Sequence, residues 1–228
     1  MIRTLAMAAG LAVAASSANA AFVGATLVEG DSAGASAALG EAATVIQIYA
    51  AFDGMGDGQN NTVLSTSFVN ISVNSGAFYQ DALGGLLPPN GAFFPLAPAL
   101  QFDTYGTIGA VTSDAPGGAG IATEPGTAMD TTSISGGWFN SNPPSNVGAA
   151  SVDLGDGTFG TLLFSLTLTG LGESGSTTIT DLISGSMSIF TQGQGQAVEN
   201  LVKFAPIPTP GAMALFGVAG LAATRRRR

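Results

Sequence analysis

The twelve residues Thr62–Val73, TVLSTSFVNISV, decide the fold class of this chain. Val69, Ile71 and Val73 alternate with Asn70 and Ser72, a period of two that puts apolar side chains on one face and polar ones on the other. The pattern recurs in Thr161–Thr169, where Leu162, Phe164, Leu166 and Leu168 alternate with Leu163, Ser165, Thr167 and Thr169, and in Ser186–Thr191, where Met187 and Ile189 sit between serines. Strands with one buried and one wet face are the habit of antiparallel sheets. Further strands are predicted over Thr44–Phe52, Leu100–Val111, Ser133–Phe139, Val147–Leu154, Thr177–Ile183 and Ala197–Phe204, which brings the total to roughly nine. Leu171–Ser176 reads as a hairpin loop and Asp156-Gly157 as a tight turn before a strand. Asp31–Ala43 is Ala-rich and reads as a short helix, but no segment sustains apolar residues at i, i+3 and i+4. Leu86–Pro98, with four prolines, and the Gly/Pro-rich Asp114–Gly126 interrupt the strands as loops. The expected fold is all-β: an antiparallel β-sandwich or jelly-roll-like domain, followed by a short C-terminal hydrophobic helix. No repeat of 20–50 residues is present, which argues against a solenoid or propeller.

Charge narrows the function classes. All fifteen acidic residues lie between Glu29 and Glu199, whereas Arg3 and Arg225–Arg228 lie at the ends, so the interior carries only Lys203 and a balance of 1 − 15 = −14. Nucleic-acid binding needs cationic side chains that displace counterions from phosphates, and adhesion to anionic lipid needs the same, so both are excluded for this domain. The chain has no Cys, which removes disulfides, zinc thiolates and thiol nucleophiles together.

The two ends carry addresses. Residues 1–20, MIRTLAMAAGLAVAASSANA, have a basic Arg3, an apolar stretch from Leu5 to Ala15 and a small-x-small site at Ala18-Asn19-Ala20, the three parts of a signal peptide. Cleavage by signal peptidase after Ala20 would make Ala21 the new N-terminus. At the other end Pro208-Thr209-Pro210 stops any preceding strand, since neither proline has an N–H to donate. Fourteen uncharged residues follow, Gly211–Thr224, then Arg225, Arg226, Arg227 and Arg228. A spanning helix needs about 20 apolar residues, so this segment engages a membrane only marginally, with the arginines held on the cytoplasmic side.

Pro208-Thr209-Pro210, the apolar run Gly211–Ala223 and Arg225–Arg228 together resemble the PEP-CTERM sorting signal of exosortase-processed exported proteins, over about the last tenth of the chain. The middle position of that motif is usually Glu and is Thr209 here. The resemblance implies an exosortase-like partner, transient anchoring in the cytoplasmic membrane through the tail alone, and delivery to the cell surface or the extracellular matrix. An ordinary anchor that is never cut is the alternative, and it too places the domain outside the cytoplasmic membrane. The run Ala99–Gly109, ALQFDTYGTIG, resembles a segment of secreted proteins that carry such tails. The organisation expected is a signal peptide over 1–20, an exported domain over 21–205 and a sorting tail over 206–228.

Chemistry is sparse. Without His or Cys, the commonest general base and the thiolate nucleophile are missing, and a Ser–His–Asp triad cannot form. Lys203 could support a Ser–Lys dyad, but a lysine that discourages pairing at a sheet edge is the simpler reading. Paired carboxylates could hydrolyse glycosides, but no spacing in the sequence brings two of them into one cleft. Trp138-Phe139, after Gly136-Gly137, reads either as a sugar-stacking surface or as core. Calcium is the best-matched ligand: Asp53, Asp57 and Asn60 gather oxygen side chains on a glycine-flexed loop, with Asp153 and Asp156 a weaker pair. The same residue types make turns without any metal, and EF-hand spacing is absent. No other cofactor is implied and no enzyme activity is expected. The sequence thus points to an exported structural protein of a cell-surface or exopolysaccharide layer. A carbohydrate- or calcium-binding adhesion module is the first alternative and a carboxylate-dependent glycoside hydrolase or lyase the second.

Overall fold

The computed structural model describes residues 20–55, 61–171, 178–193, 196–203 and 205–206. The chain runs β1 (Phe22–Glu29), α1 (Ser32–Leu39), β2 (Ala43–Phe52), β3 (Thr62–Val73), β4 (Ala77–Phe78), β5 (Tyr105–Gly106), β6 (Ile121–Thr123), β7 (Ala128–Met129), β8 (Ser133–Asn140), β9 (Val152–Asp153), β10 (Phe159–Thr169), α2 (Ile179–Leu182), β11 (Ile183–Gly193), β12 (Gln196–Lys203) and β13 (Ala205–Pro206). Two sheets form. The first has the order β13-β1-β2-β10-β4, with β5 and β9 also paired to β10, and the second the order β12-β11-β3-β8-β6, with β7 paired to β8. Every pairing is antiparallel except β1 with β13. The inner faces share one core, built from Ile46, Ile48, Phe52, Phe164 and Leu166 of the first sheet and Ile71, Ile134, Trp138, Met187 and Ile189 of the second. The fold is therefore the all-β sandwich that the alternation predicts.

The two sheets differ in what covers their outer faces. On the first, α1 and the segment before β5 pack Ala35 and Phe102 against Ala43 and Val45. Thr161, Ser165 and Thr167 of β10 are buried along with Leu162, so this strand has no wet face although its sequence alternates apolar residues with Thr and Ser. On the second sheet the alternation survives: Val69 and Ile71 are buried while Phe68 and Asn70 are exposed. That outer face is the open side of the sandwich.

Several sequence-based expectations are corrected. Leu100–Val111 is not a strand: Pro98 opens a 3-10 turn over Pro98–Phe102, and only Tyr105-Gly106 pairs, with β10. Proline's fixed φ suits the first position of such a turn and its missing N–H costs nothing there. Thr177–Ile183 gives way to α2, and Val147–Leu154 shrinks to β9. β10 and β11 lie in different sheets, so Leu171–Ser176 joins no hairpin; its residues 172–176 lie outside the described ones. The Asp156-Gly157 turn is real and closes the β9–β10 hairpin, with Asp153 opposite Phe159. β1 has no counterpart among the expected strands; its pairing is broken by a bulge between Phe22 and Gly24. The C-terminal hydrophobic helix, expected beyond Pro206, falls outside the described residues.

Candidate functional site

Of the calcium candidates, Asp53 follows the last residue of β2 and is exposed, while Asp57 and Asn60 lie outside the described residues. The Asp53 carboxylate accepts the Ala21 N–H, and the Asp53 N–H donates to the Ala21 carbonyl at 3.0 Å. Asn61 is buried and donates from Nδ2 to the carbonyls of Gly54 and Met55 at 3.2 and 2.6 Å, which folds the chain after β2 onto itself. Asp153 and Asp156 act as turn formers: Asp153 accepts the Gly155 N–H at 2.8 Å and Asp156 the Thr158 N–H at 2.9 Å. Among the described residues no group of three or more acidic side chains is placed to hold a metal.

Trp138 belongs to the core. It is fully buried, its ring meets Phe164 edge-on at 5.0 Å between centroids, and its Nε1 donates to the Leu86 carbonyl at 2.8 Å. A polar handle on a buried ring must find a partner, and this one ties the proline-rich loop to both sheets. Gly106 lies under the indole so closely that a Cβ there would come within 2.3 Å of Trp138 Cε2. The sugar-stacking role considered for Trp138 is thereby removed; its neighbour Phe139 points the other way and is half-buried. Lys203 ends β12, the edge strand of the second sheet among the described residues, opposite Ser186.

The structure brings together one carboxylate pair that spacing does not reveal. Asp103, fully buried, accepts the Asp81 N–H at 2.7 Å and the Gly85 N–H at 3.0 Å. Burial pushes its carboxyl up to about 6, against the opposing pull of backbone N–H donors from Asp81, Gly85 and Thr104 and with a smaller upward push from the Asp81 charge. Asp81 in turn accepts Tyr79 Oη–H at 2.9 Å and the Leu83 N–H at 2.8 Å, and burial together with Asp81 lifts the Tyr79 hydroxyl to about 12. A raised carboxyl beside a second carboxylate is what an acid–base pair needs. Here the oxygens of both residues are occupied by the backbone and side chain of the loop 79–85, and Asp103 has no contact with solvent. The pair organises a loop.

The other concentration of unusual features is on the open outer face. Phe68 has φ +52°, a left-handed conformation that a bulky side chain adopts at a cost of about 1–2 kcal/mol, and it is 76% exposed. It sits in a bulge: pairing of β3 slips between Thr66 and Val69 on the β8 side, and β11 slips between Ser186 and Ser188 on the other. On one side of the bulge, Phe139 and Phe190 flank Ser65 in cross-strand register. On the other side run two hydroxyl and amide rows, Ser135–Asn70–Ser186 and Ser133–Ser72–Ser184. Two carboxylates at this face are engaged, Glu124 accepting from Ser67 Oγ and Asp130 from Thr132 and Ser133, and Glu199 of β12 stands in register with Phe190. Those donors hold the Asp130 carboxyl down at about 2, although the group is exposed.

No protein-family model matches the chain, and no curated protein or solved structure matches it either.

Proposed function

We propose that this chain is an exported, non-enzymatic structural protein of a cell-surface or exopolysaccharide layer, freed from its leader by signal peptidase and handled at its tail by an exosortase-like sorting enzyme. One observation supports the reading: the described strands lie between the two sequence addresses. β1 begins at Phe22, two residues after the small-x-small site Ala18-Asn19-Ala20, and β13 ends at Pro206, two residues before Pro208-Thr209-Pro210. The acidic, His-free and Cys-free composition supports a role in the layer over one in catalysis, as does the engagement of the Asp81–Asp103 pair with its own loop. Mass spectrometry of the protein from its exporting cell tests the reading. A mature chain that starts at Ala21 and lacks Arg225–Arg228 is expected; a full-length Met1–Arg228 chain in the cytosol would end it.

The contact between Ala21 and Asp53 adds a prediction about the processed form. Cleavage after Ala20 turns the Ala21 amide into an ammonium group facing the Asp53 carboxylate, an exposed charge pair of about 0.5–1 kcal/mol. Asp53→Asn should lower the melting temperature of a chain starting at Ala21 by about 2 °C in dilute buffer, and by much less in 1 M NaCl. The same substitution in a chain that retains residues before Ala21 should show little salt dependence. Equal salt dependence in the two forms would remove the charge pair from the account.

A further inference from the structure

We infer that the open outer face of the second sheet, centred on Phe68, is a binding platform for a neutral polysaccharide strand. This deepens the reading of a layer protein by naming the surface and the ligand class, and it rests on that reading.

The argument starts from strain. Phe68 is held at φ +52° and shows 76% of its surface to solvent, so it neither relaxes its backbone nor buries its ring. Both Gly and Asn would occupy this conformation with less strain, and neither would expose an aromatic face. Strain kept without a packing return marks a position where the surface itself is used.

The surroundings say for what. The platform spans three neighbouring strands, β8, β3 and β11, which makes it about 10 Å wide, and it runs from Ser65 to Ser72, about 20 Å along β3. Phe139 and Phe190 stand in register with Ser65 at one end, and Asn70 with Ser135 and Ser186 lies beyond Phe68. Sugar rings present apolar C–H faces that pack on aromatic rings and hydroxyl rims that hydrogen-bond with hydroxyl and amide groups. A face that offers the exposed Phe68 between an aromatic row and two hydroxyl and amide rows matches both requirements along one direction. Charge chooses among glycans. The one lysine of the interior, Lys203, stands in register with Ser186 at the rim of this face; against it lie Glu199, in register with Phe190, and Glu124 and Asp130, which accept hydrogen bonds from Ser67, Thr132 and Ser133. Acidic polysaccharides, phosphates and anionic lipids would meet a face whose balance is negative, with a single lysine to offset it. A neutral glycan needs no countercharge. The first sheet offers no equivalent, because α1 and the segment carrying Phe102 cover its outer face.

Affinity electrophoresis of the processed protein tests the inference, with hydroxyethyl cellulose, dextran, pullulan and a neutral galactomannan cast separately in the gels and alginate as the acidic control. At least one neutral polymer should retard the protein, and alginate should not. Phe68→Ala should weaken the retardation at least tenfold in apparent dissociation constant. Phe68→Gly decides whether the loss is one of fold: relief of the left-handed strain should raise its melting temperature by about 3 °C while the retardation is lost. The inference fails if no neutral polymer in the panel retards the protein, if alginate retards it as strongly, or if Phe68→Gly binds like the parent. Such a failure leaves the exported reading untouched, because that reading is decided by the mass of the mature chain.

Discussion

Trp138→Ala should destabilise the sandwich by about 3–5 kcal/mol, the largest single-residue effect expected in this chain. In a domain of this size that is a fall of about 10 °C in melting temperature. The side chain is fully buried, comes from the second sheet and reaches Phe164 of the first, so its removal opens a cavity between the layers. It also leaves the Leu86 carbonyl without the indole N–H that it accepts at 2.8 Å. Trp138→Phe separates the two contributions. It keeps a ring against Phe164 and loses the hydrogen bond, and should cost about 1–3 kcal/mol. Urea unfolding followed by far-ultraviolet circular dichroism measures both, since Trp138 is the chain's single tryptophan and its fluorescence disappears with it. The parent's emission should be blue-shifted, as for an indole out of water. A Trp138→Ala protein melting within 2 °C of the parent would mean that the ring does not bridge the sheets.

Trp138 also shows how far the sequence could be read. Alternation over Thr62–Val73 and Ser186–Thr191 found β3 and β11 because the second sheet keeps one wet face, and a period of two is visible only when the faces differ. β10 was found from the same cue, though Leu163 already broke the pattern; the outer face of that strand is covered, and its buried threonines and serine read as if wet. Leu100–Val111 failed for the opposite reason. Its residues are apolar because they cover the first sheet, and burial as a covering loop leaves the same composition as burial in a strand. Asp103 was not singled out, since a carboxylate that ties a loop through backbone N–H groups leaves no spacing signature in side chains. The resemblance of Ala99–Gly109 to a segment of secreted proteins was the available hint. Within that segment Asp103 holds the loop 79–85, and Gly106 leaves the room that the indole of Trp138 occupies. Phe68 lies inside β3 and reads there as one more apolar residue of the strand. Its one trace was an apolar residue directly before Val69, out of phase with the alternation that Val69 begins, which is what a bulge does to a period of two.

Acidification should stabilise this protein before it harms it, and Asp103 is the reason. Its folded carboxyl titrates at about 6, above the ordinary value of 3.8 that applies once the chain unfolds. Between those two values the folded state binds a proton that the unfolded state has released, so stability falls as pH rises through the window and is level above it. Lowering the pH from 7 to about 4.5 should therefore raise the melting temperature by on the order of 5 °C. Below about 4 the direction reverses. Asp130, Asp114 and Asp156 have carboxyls held below the usual value by neighbouring N–H and hydroxyl donors, and their stabilisation is lost as they protonate. The expected profile therefore peaks in mild acid. Asp103→Asn should flatten the limb between about 4.5 and 6 and leave the acid limb in place, since the latter belongs to other residues. Asp103→Ala should cost about 2–3 kcal/mol at neutral pH, because the Asp81 and Gly85 N–H groups lose the oxygens that they donate to. Differential scanning calorimetry of the three proteins from pH 3 to 8 measures all of this. If the parent's melting temperature were level from pH 7 to 4.5, or if Asp103→Asn kept the parent's slope, the buried carboxyl would not be the group that sets it.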